Sequence, residues 1–171
     1  MKFNGGEYMR DCGDCTACCE GWLLSEKMAL HPGSRCSHCT DNGCGVYDER
    51  PEIPCRSFEC SWLLNHAGLP TEARPDLSGV ILAELGEWGQ WPVFSATPTS
   101  AAMRDSTFTW LKSWCLEQNV AILFTELELV DGEFTGRGQQ KTFGPPSMLV
   151  ELASGGNAGD FWALTRNAER L

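Results

Sequence analysis

The octapeptide CGDCTACC, Cys12 to Cys19, places four thiols within eight residues, the last two adjacent. The chain holds 10 cysteines, and nine of them fall in one segment: Cys12, Cys15, Cys18, Cys19, Cys36, Cys39, Cys44, Cys55 and Cys60. Thiolate sulfur is soft and polarisable and suits Zn²⁺, Cu(I) and cysteine-bound iron. A C-x-x-C turn presents two sulfurs on one side of a tight knuckle, and two such pairs close a tetrahedral zinc site. Cys12-x2-Cys15-x2-Cys18 chains two knuckles, Cys36-x2-Cys39 makes a third, and Cys44, Cys55 and Cys60 follow at longer spacings. Side chains of adjacent residues diverge, so Cys18 and Cys19 are expected to serve different ions, or one of them is spare. Nine thiols then fit two four-thiolate sites with one left over.

Disulfides are the competing use of an even number of cysteines. The first residues, MKFNGGEYMRD, lack the apolar stretch of a secretory signal. No apolar run approaches the ~18 residues that span a bilayer. The expectation is a soluble, cytoplasmic protein, whose thiols are kept reduced and are available to metal. The cysteines are also confined to one third of a chain long enough to build a core without covalent staples.

Iron is the alternative to zinc. Cys12-x2-Cys15-x2-Cys18 is the first part of the bacterial ferredoxin run, which continues with x3-Cys-Pro. Here Cys19 follows at once and no proline comes after it. A distant Cys55 or Cys60 remains available as the fourth ligand of a [4Fe–4S] cluster.

The cysteine pattern resembles that of the cysteine-cluster proteins described as zinc- or iron-chelating domains, whose signature is C-x-x-C-x-x-C-C. The resemblance continues through CSHCTDNGCGVYDERPEIPCRSFECSWL, where Cys36, Cys44, Tyr47, Arg50, Pro51, Cys55 and Arg56 match the family pattern. It covers about the first 65 residues and implies metal binding, in some members described as iron–sulfur oxidoreduction, without a defined substrate. The family pattern has an apolar residue where this chain has Cys39. The resemblance therefore marks Cys39 as the spare thiol, whereas the C-x-x-C spacing marks it as a ligand.

Other residues invite duller readings. His38, inside the Cys36–Cys39 knuckle, is expected to be exposed or to bond a ligand from outside the coordination sphere. His31 and His66 read as turn and helix-end residues, and Cys115 as a small buried hydrophobe. Tyr47, Asp48, Glu49 and Arg50 form either a binding patch or a loop in which Arg50 pairs with a carboxylate or donates to loop carbonyls. Arg10, Arg35, Arg50 and Arg56 are placed to offset the charge of thiolates.

Two regions must position these groups. Residues 1–64 are rich in turn residues, with GWLLSEKMALHPG (Gly21 to Gly33) as a helix or loop between two cysteine groups. Bound metal is expected to replace a conventional core there. Residues 65–171 read as a small α+β layer packed with the first region into one unit. SGVILAEL (Ser78 to Leu85) and WPVFSAT (Trp91 to Thr97) read as strands separated by GEWGQ, a turn signal. A main helix is expected over Ser100 to Gln118, capped by Thr99 or Ser100, with Phe108, Leu111, Trp114 and Cys115 on its apolar face. VAILFTEL (Val120 to Leu127) reads as a buried strand, Asp131-Gly132 as a hairpin turn, and SMLVELA (Ser147 to Ala153) as another strand. GDFWALTRNAERL reads as a closing helix with Phe161, Leu164 and Leu171 on one face.

Composition restricts partners. The 171-residue chain carries a formal net charge of −10. Residues 1–64 hold six Lys/Arg against ten Asp/Glu, and residues 65–171 hold seven against thirteen. Neither half offers the basic face that nucleic acid or an anionic membrane requires. There is no G-x-G-x-x-G, P-loop, G-x-S-x-G or H-E-x-x-H. A thiolate-saturated zinc leaves no position for water, so redox chemistry is the enzymatic class that survives. The expected partners are a metal ion and, beyond it, a protein.

Overall fold

The computed structural model describes residues 10–20, 30, 34–100, 102–131 and 133–168. The Gly21 to Gly33 segment apart from Leu30, His31 within it, and Leu171 lie outside the described residues. The architecture is α+β, built on a four-stranded sheet of order β3-β4-β5-β6. These strands are β3 (Val80–Trp88), β4 (Trp91–Pro98), β5 (Ala121–Val130) and β6 (Glu133–Phe143). A two-residue-strand hairpin, β1 (Cys39–Thr40) with β2 (Gly43–Cys44), lies in the cysteine region. The helices are α1 (Pro75–Ser78), α2 (Asp105–Gln118), α3 (Pro146–Ser154) and α4 (Ala158–Ala168).

Both glycine-marked turns fall where the sequence puts them. Trp88 pairs with Trp91 across Gly89, whose positive φ of 60° is the conformation a tight turn demands. Val130 pairs with Glu133 across the Asp131 turn. Strands β4 and β5 are parallel, which requires a crossover, and α2 supplies it.

Period-two alternation gives the sheet two buried faces. Phe94, Ala96, Ile122 and Phe124 join Leu111, Trp114 and Cys115 of α2 in one core. The interleaved Val93, Ala121 and Leu123 pack with Met148 of α3 and Phe161 of α4 in the other. The cysteine region docks on the first face: Ala17, Cys60, Trp62, Leu69 and Ala73 belong to the same core as α2. The Ser61 N–H also donates to the Leu82 carbonyl of edge strand β3, at 2.7 Å.

Two expectations need correction. SMLVELA is not a strand but most of α3. Pro146 stands at its first position, where a missing N–H costs nothing, and Gly155 ends it in the left-handed conformation. Leu, Met, Glu and Ala are good helix formers, and Met148 alone of this helix is fully buried. The main helix begins at Asp105 rather than Ser100, with Arg104 as its N-cap and no side-chain cap from Thr99 or Ser100. Arg104 is extended, and its guanidinium reaches back 3.4 Å to the Leu77 carbonyl. The Asp105 carboxylate then sits favourably at the positive end of the helix dipole. The closing helix forms over Ala158–Ala168, with Phe161 fully buried.

Candidate metal centre

The cysteine knuckles are closed by local backbone hydrogen bonds rather than by long elements. The Cys15 N–H donates to the Cys12 carbonyl at 2.9 Å, closing the first knuckle, and Gly13 supplies the positive φ of 51° the turn needs. Asp14 of this knuckle is anchored by Arg74 at 2.9 Å, and Arg74 also holds Asp76. A short 3-10 turn, Ala17–Glu20, carries Cys18 and Cys19. The Cys19 N–H donates to Thr16, and the Cys19 carbonyl accepts from the Cys36 N–H at 2.7 Å.

The second knuckle closes when the Cys39 N–H donates to Cys36 at 3.0 Å. The β1–β2 hairpin then sets Cys39 directly opposite Cys44. The His38 carbonyl accepts from the Gly45 N–H, and the His38 side chain is exposed, as expected of a residue outside the ligand set. Cys55 rides on the turn Glu52–Arg56, and buried Cys60 lies beside the Ser61 anchor to β3.

The thiols sort into two neighbourhoods. Cys15, Cys18 and Cys60 all pack against the core that includes Ala17 and Trp62. Burial pushes the Cys18 thiol well above its ordinary range, and Cys60, Cys15, Cys19 and Cys12 add to the rise in that order. Cys12 is likewise raised by burial and then by Cys60. Cys19 looks the other way: burial, then Cys39, Cys44, Cys36 and Cys55, push its thiol to about 12. Cys55 is raised by burial and then by Cys36 and Cys44. Packing and pairing separate Cys15, Cys18 and Cys60, against the α2 core, from Cys39 and Cys44, opposite each other in the hairpin, although Cys18 also feels its neighbour Cys19.

These are gatherings rather than closed spheres. Among the described residues, no three His, Cys, Asp or Glu side chains converge closely enough to hold one ion. All ten cysteines are free thiols. The donor set nonetheless fits a soft cation. Burial and mutual repulsion keep these thiols protonated, and a bound soft cation would be what favours their thiolate forms.

Cationic side chains divide between bracing and neutralising. Arg10 donates to the Trp62 and Leu69 carbonyls and lies over the Trp62 ring, so it clamps the loop rather than a thiol. Arg50 favours the thiolates of both Cys12 and Cys55. It also donates Nε–H to the Tyr47 carbonyl at 2.8 Å, which is the loop-bracing role expected of it. Arg35 bonds Cys39 and Asp41. His66 stands 2.9 Å from Glu84 of β3, away from any ligand position. Cys115 is buried in the α2 core, and burial alone raises its thiol to about 12.

The Arg74 anchor escaped the sequence reading, although Arg-Pro-Asp before an apolar run marks a helix start. Comparison with known proteins adds nothing to this geometry: no family model, curated protein or solved structure matches the chain. No described helix is long and apolar enough to cross a membrane.

Proposed function

We propose that this is a metal-binding protein whose clustered cysteines hold zinc in two four-thiolate sites. Cys12, Cys15, Cys18 and Cys60 form one, and four of Cys19, Cys36, Cys39, Cys44 and Cys55 form the other. What supports the reading is that Cys15, Cys18 and Cys60 pack on one core, while Cys39 faces Cys44 across the β1–β2 hairpin and the Cys36 N–H bonds the Cys19 carbonyl. The spare thiol then belongs to the second group, where Cys39 is the candidate. Bound zinc would give the cysteine region the cohesion that its few buried side chains do not. The role is structural or metal-handling, in the cytoplasm, with a protein as the further partner.

A second reading is favoured by one feature. Cys60 joins the C-x2-C-x2-C run, which is the ligand pattern of a [4Fe–4S] cluster with a distant fourth cysteine. In that case the protein works in redox chemistry. Elemental analysis of protein prepared anaerobically separates the two. About two zinc and no iron per chain supports the first. Iron with acid-labile sulfide, brown colour and broad absorbance near ~400 nm supports the second. Protein with neither metal and with two or more stable disulfides sinks both.

A further inference from the structure

Cys39 and Cys44 stand directly opposite each other in the β1–β2 hairpin. The next pair along the ladder, His38 with Gly45, is joined by a 2.8 Å hydrogen bond from the Gly45 N–H. Bonded and non-bonded pairs alternate in an antiparallel ladder, so Cys39 and Cys44 form a non-bonded pair. Opposed residues project to one face, and in a non-bonded pair their Cα atoms lie about 4.5 Å apart. A disulfide spans Cα atoms about 4.4–6.8 Å apart. The register therefore meets the need of a disulfide, and closure asks for side-chain rotation rather than movement of the backbone.

The hairpin is fixed from both ends. The Thr40 hydroxyl donates to the Gly43 carbonyl at 2.8 Å and accepts from the Asn42 N–H at 3.3 Å. Gly43 turns the chain with a φ of 112°, which a side chain would strain. At the other end the Cys39 N–H is bonded to the Cys36 carbonyl. The Arg35 guanidinium bonds the Cys39 sulfur and the Asp41 carboxylate, which steadies that sulfur on the hairpin. Both thiols are partly exposed, whereas Cys60 and Cys115 are buried. An accessible cysteine beside a second thiol is the arrangement of a redox sensor, where the second thiol resolves a sulfenic acid formed on the first.

We propose that Cys39 and Cys44 are a redox pair that closes a disulfide when a hydroperoxide oxidises Cys39, withdrawing Cys44 from the second metal group. Cys39 is the spare thiol of the metal reading, so its sulfur carries no ion and is open to attack. That sulfur takes one peroxide oxygen, the O–O bond breaks, and water or an alcohol leaves. The Cys44 sulfur then donates an electron pair to the Cys39 sulfur, and the sulfenic oxygen departs as hydroxide. Two sulfurs have lost two electrons, the peroxide has gained them, and the ion has lost one of its four ligands. The loss of metal rests on the metal reading, and the disulfide itself does not.

The test is mild oxidation of the full-length protein, as purified, with about one equivalent of hydrogen peroxide. Free thiols are then blocked, and freed metal is read in the same samples with a chromogenic chelator. Proteolysis before Asp41 separates Cys39 from Cys44, and mass spectrometry of the linked peptides maps the disulfide. The expected result is a Cys39–Cys44 link that dithiothreitol reverses, formed as about one of the two proposed ions leaves. In Cys39→Ser, release at the same peroxide dose should slow about tenfold or more. A first disulfide between any other cysteines overturns the pairing, and the wild-type map needs no variant to show it. A Cys39–Cys44 link at full metal content, or release from Cys39→Ser at the wild-type rate, overturns the withdrawal of Cys44. Protein purified without metal overturns the metal reading, and the same map then decides the pairing alone.

Discussion

Between Val80 and Phe143 the sheet is built from strands of 8 to 11 residues, and stretches of β3, β4 and β5 are buried on both faces. Between Cys12 and Cys60 the longest regular piece among the described residues is the five-residue turn Glu52–Arg56. The first region has Trp91, Phe94, Ile122 and Leu123 almost wholly removed from water. At about 25 cal/mol per Å² of apolar area, such burial offsets the ~1–2 kcal/mol that each ordered residue loses in backbone entropy. The cysteine segment has Ala17, Leu30, Pro54 and Cys60 as its buried apolar side chains among the described residues. Under the proposed reading, two thiolate-bound ions supply the rest of its order. The same chain thus contains a half whose fold follows from buried area and a half for which we propose coordination as the source of order.

The largest expected effect tests that contrast directly. Removing metal with a strong chelator should expose the segment before residue 60 to limited proteolysis, while a fragment beginning near Pro70 survives. Equal resistance with and without chelator would show that coordination is not what orders the cysteine half.

Single substitutions sharpen the contrast within that half. Cys12→Ser or Cys60→Ser should lose one equivalent of metal and keep the other, because oxygen is a poor substitute for a soft thiolate. Cys44→Ser or Cys55→Ser should lose the complementary equivalent, and Cys39→Ser neither. Inductively coupled plasma mass spectrometry reads the stoichiometry. A single substitution that empties both groups would merge them into one centre.

In the sheet half the effects are of packing alone. Trp91→Ala should lower unfolding free energy by about 3–5 kcal/mol, since its ring is buried and stacks 5.5 Å from Trp88. Metal content should not change.

The smallest effect is at Cys115. Cys115→Ser should cost about 1–3 kcal/mol by placing a hydroxyl in an apolar core, again with full metal content. The thiol also has a pH signature. Its folded value is raised from 9.0 to about 12, so the stability it contributes is whole below pH 9 and drains away as pH climbs from there toward 12. Cys115→Ala should flatten that alkaline slope in denaturant melts, and an unchanged slope would assign it to other groups.

Legibility in the sequence followed the same divide. Strands β3, β4 and β5 were readable because β-branched and aromatic runs ended at glycine or Asp-Gly punctuation. Strand β6 was missed beyond Gly136. Its RGQQ stretch is exposed at the sheet edge and shows no apolar alternation to read. SMLVELA misled because a seven-residue apolar run has no decisive period, and the Pro145-Pro146 and Gly155 bounds were the better guide. In the cysteine half the ligand candidates were plain from residue type. Their arrangement was not, because Cys60 joins the core beside Cys15 and Cys18 through the Ser61 anchor to β3, which no spacing encodes.

The adjacency of Cys18 and Cys19 has a consequence for how the two groups fill. A cation seated in either one pins the torsions of a residue whose peptide neighbour serves the other. The second cation then finds part of its binding conformation already selected, and less configurational freedom remains to be lost. If each group holds an ion as proposed, the two load cooperatively, through the backbone rather than through space.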